Sequence, residues 1–284
     1  MVKLINIQNI SEKEINMNLK RVLTTLIGLP IVIMVLILGN EYIIGGIVLV
    51  ASIICMYEYF NVIKKVCKPV QWIGYLSNVL IVIAAFFQIE IIKTLVIFSI
   101  PIFMLLLFSQ VIITNMKTTF KDVAYTLLSI VYIPFFLMFV ELIRKMENGK
   151  ILIGFIFAIA WGTDILAYLI GKHFGKHYFS KVSPKKTIEG SVAGIIGAIV
   201  FTLVYTIIVN KFCNVEYSYI KLTIISALLS VISQVGDFAA SIIKRFADTK
   251  DYGNLIPGHG GMLDRIDSLL FIAPFAYMIF YYLI

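Results

Sequence analysis

Acidic, hydroxyl and basic side chains recur at helical spacing near the end of an otherwise apolar chain. Asp237, Ser241 and Arg245 are spaced at i, i+4 and i+8, so they share one face if the preceding apolar run continues through them as a helix. Asp264 and Asp267 are three residues apart, which places both carboxylates on one face of a helix leading into the last apolar run. Carboxylates beside several cations are typical of a site where Mg²⁺ shares oxygen ligands with phosphate groups.

A glycine-rich segment lies between these acids. In the sequence from Pro257 to Gly261, the glycines allow positive φ angles and a close approach of the backbone to a ligand. If a helix begins at Gly261, its free N–H groups form a site for an anion. The alternative interpretation of this segment is a flexible hinge beside a solvated charge cluster, without a bound ligand.

A second cluster precedes the first in the chain. Asp164, Tyr168 and Lys172 share a helical face, and Asp164 lies in or at the edge of an apolar run, where an unpaired carboxylate is costly and indicates function. The segment Ser183–Thr187 is a turn with two lysines and a hydroxyl, suited to binding the phosphates of a nucleotide or lipid. Lysines beside a membrane span also occur for topology alone, so this motif by itself is weak evidence.

Histidine and cysteine give no metal motif. His173 and His177 are four residues apart, but no carboxylate or third histidine follows at a matching spacing, so we interpret them as interfacial residues. The three cysteines include no CxxC pair, which argues against a disulfide framework or a thiolate metal site.

The elements that position these residues are predicted to be membrane helices. Of the 284 residues 60% are hydrophobic and only 14% are charged, and the mean hydropathy of +0.97 indicates that the chain is dissolved in a bilayer. Runs this long and apolar predict an all-α fold, a polytopic transmembrane helical bundle of about nine spans. The second, third and ninth runs have only about 16 residues, short of the roughly 20 needed to cross a bilayer. The predicted spans are 22–38, 42–57, 72–87, 91–114, 123–143, 151–170, 191–209, 217–235 and 269–284.

The distribution of positive charge predicts the orientation. With the N-terminus inside, all but six of the 24 Lys and Arg residues fall on inner segments, which predicts a plasma-membrane protein with a cytoplasmic N-terminus and an outer C-terminus. The net charge of +8 is then explained by lysines facing anionic lipid and the cytoplasm, without nucleic acid as a partner. The six outer residues are Lys93, Arg144, Lys145, Lys150, Lys211 and Lys221.

Two inner loops, 171–190 and 236–268, are longer than the other connections and contain all three histidines. We therefore divide the chain into residues 1–150, with about five spans, and residues 151–284, a catalytic region that carries both loops.

The motifs resemble those of the phosphatidate cytidylyltransferase family, the CDP-diacylglycerol synthases. The resemblance rests on Ser241-Ile-Ile-Lys244-Arg245, Lys250-Asp251 and His259-Gly-Gly-Met-Leu-Asp264-Arg-Ile-Asp267, and it extends to Ser183-Pro-Lys-Lys-Thr187 with Glu189-Gly190. It covers the C-terminal 125 or so residues in detail and the N-terminal half mainly through its hydropathy. One departure is Ala239-Ala240 before Ser241, where many members carry an acid.

The resemblance implies an enzyme that transfers CMP from CTP to phosphatidic acid in phospholipid biosynthesis, giving CDP-diacylglycerol and pyrophosphate. Its implied partners are CTP, phosphatidic acid and membrane lipids, and its implied cofactor is Mg²⁺ or another divalent cation; a second metal ion and a homodimer stay open. The implied metal ligands are Asp237, Asp264 and Asp164. The implied catalytic residues are Lys244, Arg245, Asp267 and His259. The implied substrate-binding residues are Ser183, Lys185, Lys186, Thr187, Ser241, Lys250, Gly260, Gly261 and Arg265.

Two other classes of membrane protein fit the sequence less well. A transporter also has many spans and intramembrane acids, but the internal repeat typical of that class is not evident, since the charged motifs occur only in the second half. A CDP-alcohol phosphotransferase also uses aspartates and metal, but its D-G-x2-A-R-x8-G-x3-D-x3-D pattern does not occur in this sequence.

Overall fold

The computed structural model describes residues 26, 28, 30–36, 38–86, 89–178, 182–255 and 260–284. These ranges fold into helices connected by short loops, and Tyr178 and Thr187 form an isolated antiparallel β-bridge. The predicted all-α fold is confirmed. The helices are α1 Glu41–Ile63, α2 Gln71–Phe86, α3 Ile89–Ile113, α4 Phe120–Ile130, α5 Phe136–Arg144, α6 Gly149–Phe174, α7 Ile188–Phe212, α8 Tyr219–Phe246 and α9 Leu263–Leu283.

Six helical segments in these ranges are long and apolar enough to cross a membrane, which confirms a polytopic membrane protein. One of them combines α4 and α5 through the π-helical turn Val131–Phe135, which contains Pro134. A proline has no N–H to donate, and the wider turn accommodates it. Shorter apolar helices cover Gln71–Ala85 and Phe98–Ile113. The first predicted span, 22–38, is helical at the residues that the structure describes there, which are 26, 28, 30–36 and 38.

Two of the three runs predicted to be short belong to longer helices. Helix α1 has 23 residues and α9 has 21, because each continues through polar residues that lie outside the apolar run used to predict the span. Helix α2 has only 16 residues, as predicted. Helix α1 begins at the cap Asn40, whose side chain accepts a hydrogen bond from Ile43 N.

Helices α6 and α7 pack closely through glycine. A Cβ atom on Gly162 would lie 2.6 Å from the carbonyl oxygen of Gly197, and a Cβ on Gly190 would lie 3.0 Å from the Cα of Gly171. Small residues let helix backbones approach in lipid, where dispersion contacts and polar contacts replace the hydrophobic driving force. This packing brings the last turns of α6, which follow Asp164, beside the segment that precedes α7.

Helices α8 and α9 meet closely at Gly236. A Cβ on this residue would lie 2.9 Å from the carbonyl oxygen of Asp267 and 3.0 Å from the Cβ of Phe271. The missing side chain therefore lets the first acidic motif of α8 lie directly against the acidic start of α9.

Helix α1 supplies much of the core that supports this arrangement. Met56, Tyr59 and Phe60 are fully buried, and they belong to the same cluster as Phe155 of α6 and Phe280 of α9. The N-terminal half therefore packs directly against the helices that carry the motifs.

Candidate active site

The motif residues gather where the ends of α6 and α8 meet the starts of α7 and α9. As predicted, α8 continues as a helix from Tyr219 to Phe246, so that Asp237, Ser241 and Arg245 lie on consecutive turns. Helix α9 carries both Asp264 and Asp267 in its first turns, also as predicted. The site is therefore built from four helix ends at one side of the bundle.

Asp237 forms an ion pair with Lys186. The Oδ2 atom of Asp237 lies 2.5 Å from the Nζ atom of Lys186, and both side chains are about one-third exposed, at 34% and 29%. The same ammonium lies 4.0 Å from the centre of the Phe238 ring, a cation–π geometry. One lysine of the segment 183–187 is thus held against the first aspartate of α8.

Asp264 forms a second and more buried pair with Lys244. The Lys244 Nζ donates to the Oδ1 atom of Asp264 at 2.6 Å, and the two side chains are only 12% and 4% exposed. The Oδ2 atom of Asp264 accepts from the backbone N–H groups of Tyr252 (2.9 Å) and Gly261 (3.0 Å). The carboxylate therefore joins α8 to the loop before α9.

Glycine is required in that loop. Gly260 has φ +84°, in the left-handed region, and a Cβ on it would lie 3.1 Å from Asp264 Oδ2. Tyr252, also in this loop, is 3% exposed and donates its hydroxyl to the Ala240 carbonyl at 3.3 Å. Burial, with smaller effects from nearby tyrosines and from Asp267 and Asp264, raises the pKa of the Tyr252 phenol, so it stays protonated at neutral pH.

Helix α9 begins at Leu263 and not at Gly261, and its N-terminus already binds an anion from this chain. The Glu58 side chain of α1 accepts from Met262 N at 2.9 Å and from Leu263 N at 2.8 Å, and Glu58 is only 3% exposed. The expected free N–H groups are therefore satisfied by a carboxylate, which also benefits from the positive end of the helix dipole.

Glu58 is not among the site residues predicted from the sequence. It follows directly after the predicted span 42–57, and an acid at the end of an apolar run is a signal that it has a partner. A Cβ on Gly261 would lie 2.5 Å from Glu58 Oε2, and one on Gly253 would lie 2.7 Å from Oε1. These glycines leave room for the carboxylate.

Asp267 and Asp164 border the two ion pairs. Asp267, 7% exposed, accepts from the backbone N–H of Ser268 at 2.8 Å and interacts electrostatically with Asp237 and Lys244. Asp164 of α6 has an exposed side chain that interacts electrostatically with Asp237, Lys186 and Arg265. The acids from three helices thus act on one another at one side of the bundle.

The predicted metal ligands are near one another but do not form a ready metal site. Among the residues that the structure describes, no three His, Cys, Asp or Glu side chains are placed to hold a metal ion. Asp237 and Asp264 are instead neutralised by Lys186 and Lys244. Their oxygens are the ligand type that a hard divalent cation takes, so the donor chemistry fits once an ammonium moves aside.

The loop before α7 is fixed at both ends. The Thr187 hydroxyl accepts from Gly190 N at 3.2 Å, capping α7, and Arg245 Nε donates to the Val182 carbonyl at 3.4 Å. Glu189 lies 2.6 Å from the Nδ1 atom of His177 and also accepts from the His177 backbone N–H. His177 therefore anchors this loop, a contact that spacing alone did not reveal.

The other predicted site residues fall into two groups. Lys185, Arg245, Lys250 and Arg265 are exposed, whereas Ser183, Ser241 and Gly260 are partly buried and Gly261 is buried. His259 lies outside the described residues. Contact of these residues with substrate stays a prediction.

The geometry defines a membrane-embedded, polar site with paired acids and lysines, and a cytidylyltransferase model matches the chain over residues 19–283. The chain therefore belongs to the cytidylyltransferase family. A phosphatidate cytidylyltransferase from Staphylococcus haemolyticus is 30% identical over 262 residues, which cover 89% of this chain and 95% of that protein. The chain thus belongs among the phosphatidate cytidylyltransferases, which are nucleotidyltransferases.

Other relatives match mainly part of the chain. The phosphatidate cytidylyltransferase of Bacillus subtilis is 31% identical over 62% of this chain, and the matched part spans 64% of that relative's length. The one from Rickettsia prowazekii is 33% identical over 58% of this chain and 74% of its own length.

Proposed function

We propose that this protein transfers CMP from CTP to phosphatidate, producing CDP-diacylglycerol and pyrophosphate. The observation that carries the proposal is the juxtaposition of two lysine–aspartate pairs, Lys186–Asp237 and Lys244–Asp264, at the ends of membrane helices. A water-soluble nucleotide and a membrane lipid can meet at such a position.

The reaction needs alignment and charge neutralisation more than a strong base. A phosphatidate oxygen attacks the α-phosphorus of CTP, a new P–O bond forms, and the bond to the β-phosphate oxygen breaks, releasing pyrophosphate. A phosphate monoester has a second pKa of about 6, so the nucleophile is already ionised at neutral pH. No side chain has to remove a proton from it.

The lysines supply the neutralisation. Lys244 is held by Asp264 beside the loop 251–261, where it can stabilise charge that develops on the phosphoryl oxygens. Lys186 is paired with Asp237, and the exposed Lys185 and Arg265 add positive charge that can attract the phosphates.

A divalent cation, Mg²⁺ in this proposal, supplies further charge neutralisation when bound. Asp237 and Asp264 would hold it, with Asp164 or Asp267 nearby. Incoming phosphates attract Lys186, the more exposed of the two lysines, so substrate entry favours release of Asp237, whereas the more buried Lys244 keeps its contact with Asp264, a carboxylate that the cation would share. Metal and nucleotide are therefore expected to bind together.

A direct assay tests the function. Purified protein in detergent, given CTP labelled at the α-phosphate together with phosphatidate and Mg²⁺, is expected to form labelled CDP-diacylglycerol, and omission of either substrate abolishes the product. The absence of labelled lipid from folded protein under all these conditions would refute the activity.

Asp237→Asn tests the site within the same assay. The change removes the carboxylate charge with almost no change in volume, and kcat is expected to fall by about 10² to 10³, the scale of one lost electrostatic group. Asp248→Asn is the control for the same chemical change, because Asp248 is exposed in the turn after α8 and has φ +50°, a conformation that Asn also tolerates. Equal activity of the two variants would contradict a role for Asp237 in the transfer reaction.

A further inference from the structure

A cavity lies at the end of α6 away from the candidate site. It has a volume of about 1090 Å³, and its walls come from α6 between Gly149 and Trp161, from α7 between Val200 and Ile208, and from Ile33 and Leu36 ahead of α1. At 1.5 Å per residue its wall along α6 is about 18 Å long. That length is close to the thickness of the hydrocarbon region of one leaflet, which is about 15 Å.

The walls are apolar and open to the side. Val204 and Ile208 of α7 line the cavity and are 51% and 48% exposed, so the cavity reaches the lipid-facing surface of the bundle. Asp164, which marks the candidate site, lies beyond its inner end, three residues past Trp161. The cavity is thus separate from the phosphate-binding groups of the site.

The polar end of the cavity is basic. Arg144, Lys145 and Lys150 line it, against one lining acid, Glu41. Arg144 is only 9% exposed; its Nη2 atom donates to the Gly39 carbonyl at 2.9 Å, whereas its Nε atom has no hydrogen-bond partner in the described structure. A buried guanidinium N–H without an acceptor is costly, which indicates that an acceptor from a ligand belongs there.

We infer that this cavity binds an anionic glycerophospholipid from the leaflet opposite the candidate site. Its acyl chains lie between α6 and α7, and its phosphate accepts from Arg144 and attracts Lys150. Guanidinium and ammonium groups at the end of an apolar channel of leaflet depth match the two parts of such a lipid. A nucleotide or free phosphate would leave the long apolar wall uncovered. The inference does not depend on the proposed reaction.

Trp161 provides a reporter inside the cavity. The chain has two tryptophans, and Trp72→Phe leaves Trp161 alone. The full-length variant is reconstituted in phosphatidylcholine vesicles with a small fraction of phosphatidylglycerol that carries brominated chains, which quench tryptophan. Phosphatidylglycerol is a phosphodiester, so it lacks the monoester oxygen that the proposed reaction uses and is not a substrate of that reaction.

Selective binding is expected to quench Trp161 about fivefold more than the bulk fraction of brominated lipid predicts, the preference expected from roughly one basic contact. Brominated phosphatidylcholine at the same fraction is expected to quench only in proportion to its abundance. Proportional quenching by both lipids would overturn the inference.

Matched variants locate the effect. Lys150→Glu is expected to abolish the selectivity, whereas Lys211→Glu, the same charge change at the same end of the bundle but outside the cavity, retains it. Val204→Phe, which places a larger side chain in the cavity wall, is expected to reduce the selective quenching, whereas Ile207→Phe on the neighbouring lipid-facing surface leaves it intact. Selectivity that survives both Lys150→Glu and Val204→Phe would place the lipid elsewhere and refute this site.

Discussion

The basic side chains of the site differ in how firmly each is held. Lys244 is 12% exposed and bound to a buried carboxylate, whereas Lys185 is exposed in the segment before α7. A fixed charge can be placed for the transition state, while a mobile one follows the triphosphate in every state. The two are therefore expected to have different kinetic roles.

We predict that Lys185→Ala raises KM for CTP with little change in kcat, and that Lys244→Ala lowers kcat by about 10² to 10³. Steady-state kinetics at saturating phosphatidate measures both. Lys176→Ala, which removes another exposed lysine of the same loop, serves as the control for a general loss of charge. Reversed effects would mean that the segment 183–187 closes over the reacting phosphates.

At the scale of elements, the position of α9 depends on a contact from the N-terminal half of the chain. Glu58 of α1 accepts from two backbone N–H groups at the start of the helix that carries Asp264 and Asp267. The N-terminal half thus has a role in the site that its hydropathy did not reveal.

Glu58→Ala is predicted to cost about 2–4 kcal/mol of stability, because two N–H groups lose a charged acceptor in a buried place. It should also reduce transfer activity, since α9 is then less firmly positioned. Thermal unfolding in detergent measures the first effect, with the exposed Glu147→Ala as the control. Glu58→Gln keeps one acceptor oxygen and should fall between the wild type and Glu58→Ala; an unchanged melting temperature for Glu58→Ala would contradict the contact.

The contact between α8 and α9 gives a second test. Gly236→Ala places a Cβ 2.9 Å from a backbone oxygen of Asp267, so the helices must separate at the site and activity is predicted to fall at least tenfold. The matched control is Gly46→Ala, another helical glycine, whose Cβ would meet nothing within 4 Å. That change should be neutral or stabilise by up to about 1 kcal/mol. Equal activity of both variants would show that the close approach is not required.

At the scale of the whole molecule, the sequence predicted features that depend on neighbouring residues better than contacts between residues far apart in the chain. Helical spacing correctly placed Asp237, Ser241 and Arg245 on one helix, because i, i+4 neighbours depend only on the helix itself. Glu58 caps α9 through Met262 and Leu263, which follow it by 204 and 205 positions in the sequence. No local pattern encodes such a contact. Likewise, the lysine partners of Asp237 and Asp264 depend on how helices pack.

The orientation of the bundle remains a prediction from the positive-inside rule, and native cysteines offer a test of it. Cys213 is exposed after α7, on the side predicted to be outer, and Cys55 is buried in α1. Cys67 lies in the loop after α1, where burial, aided by Asp122, raises the pKa of its thiol to about 11. Since the thiolate is the reactive form, Cys67 should react slowly at pH 7 to 8 and faster as the pH rises toward that value.

We therefore predict that a membrane-impermeant maleimide at neutral pH labels Cys213 in intact cells and that Cys213→Ser abolishes this labelling. In the Cys213→Ser background, Lys185→Cys should be labelled only in inverted vesicles, because the loop 171–190 faces the cytoplasm with most of the positive charge. Labelling is measured by the mass shift of the purified protein. Reaction of Lys185→Cys in intact cells, together with protection of Cys213, would invert the topology and place the proposed lipid cavity in the cytoplasmic leaflet.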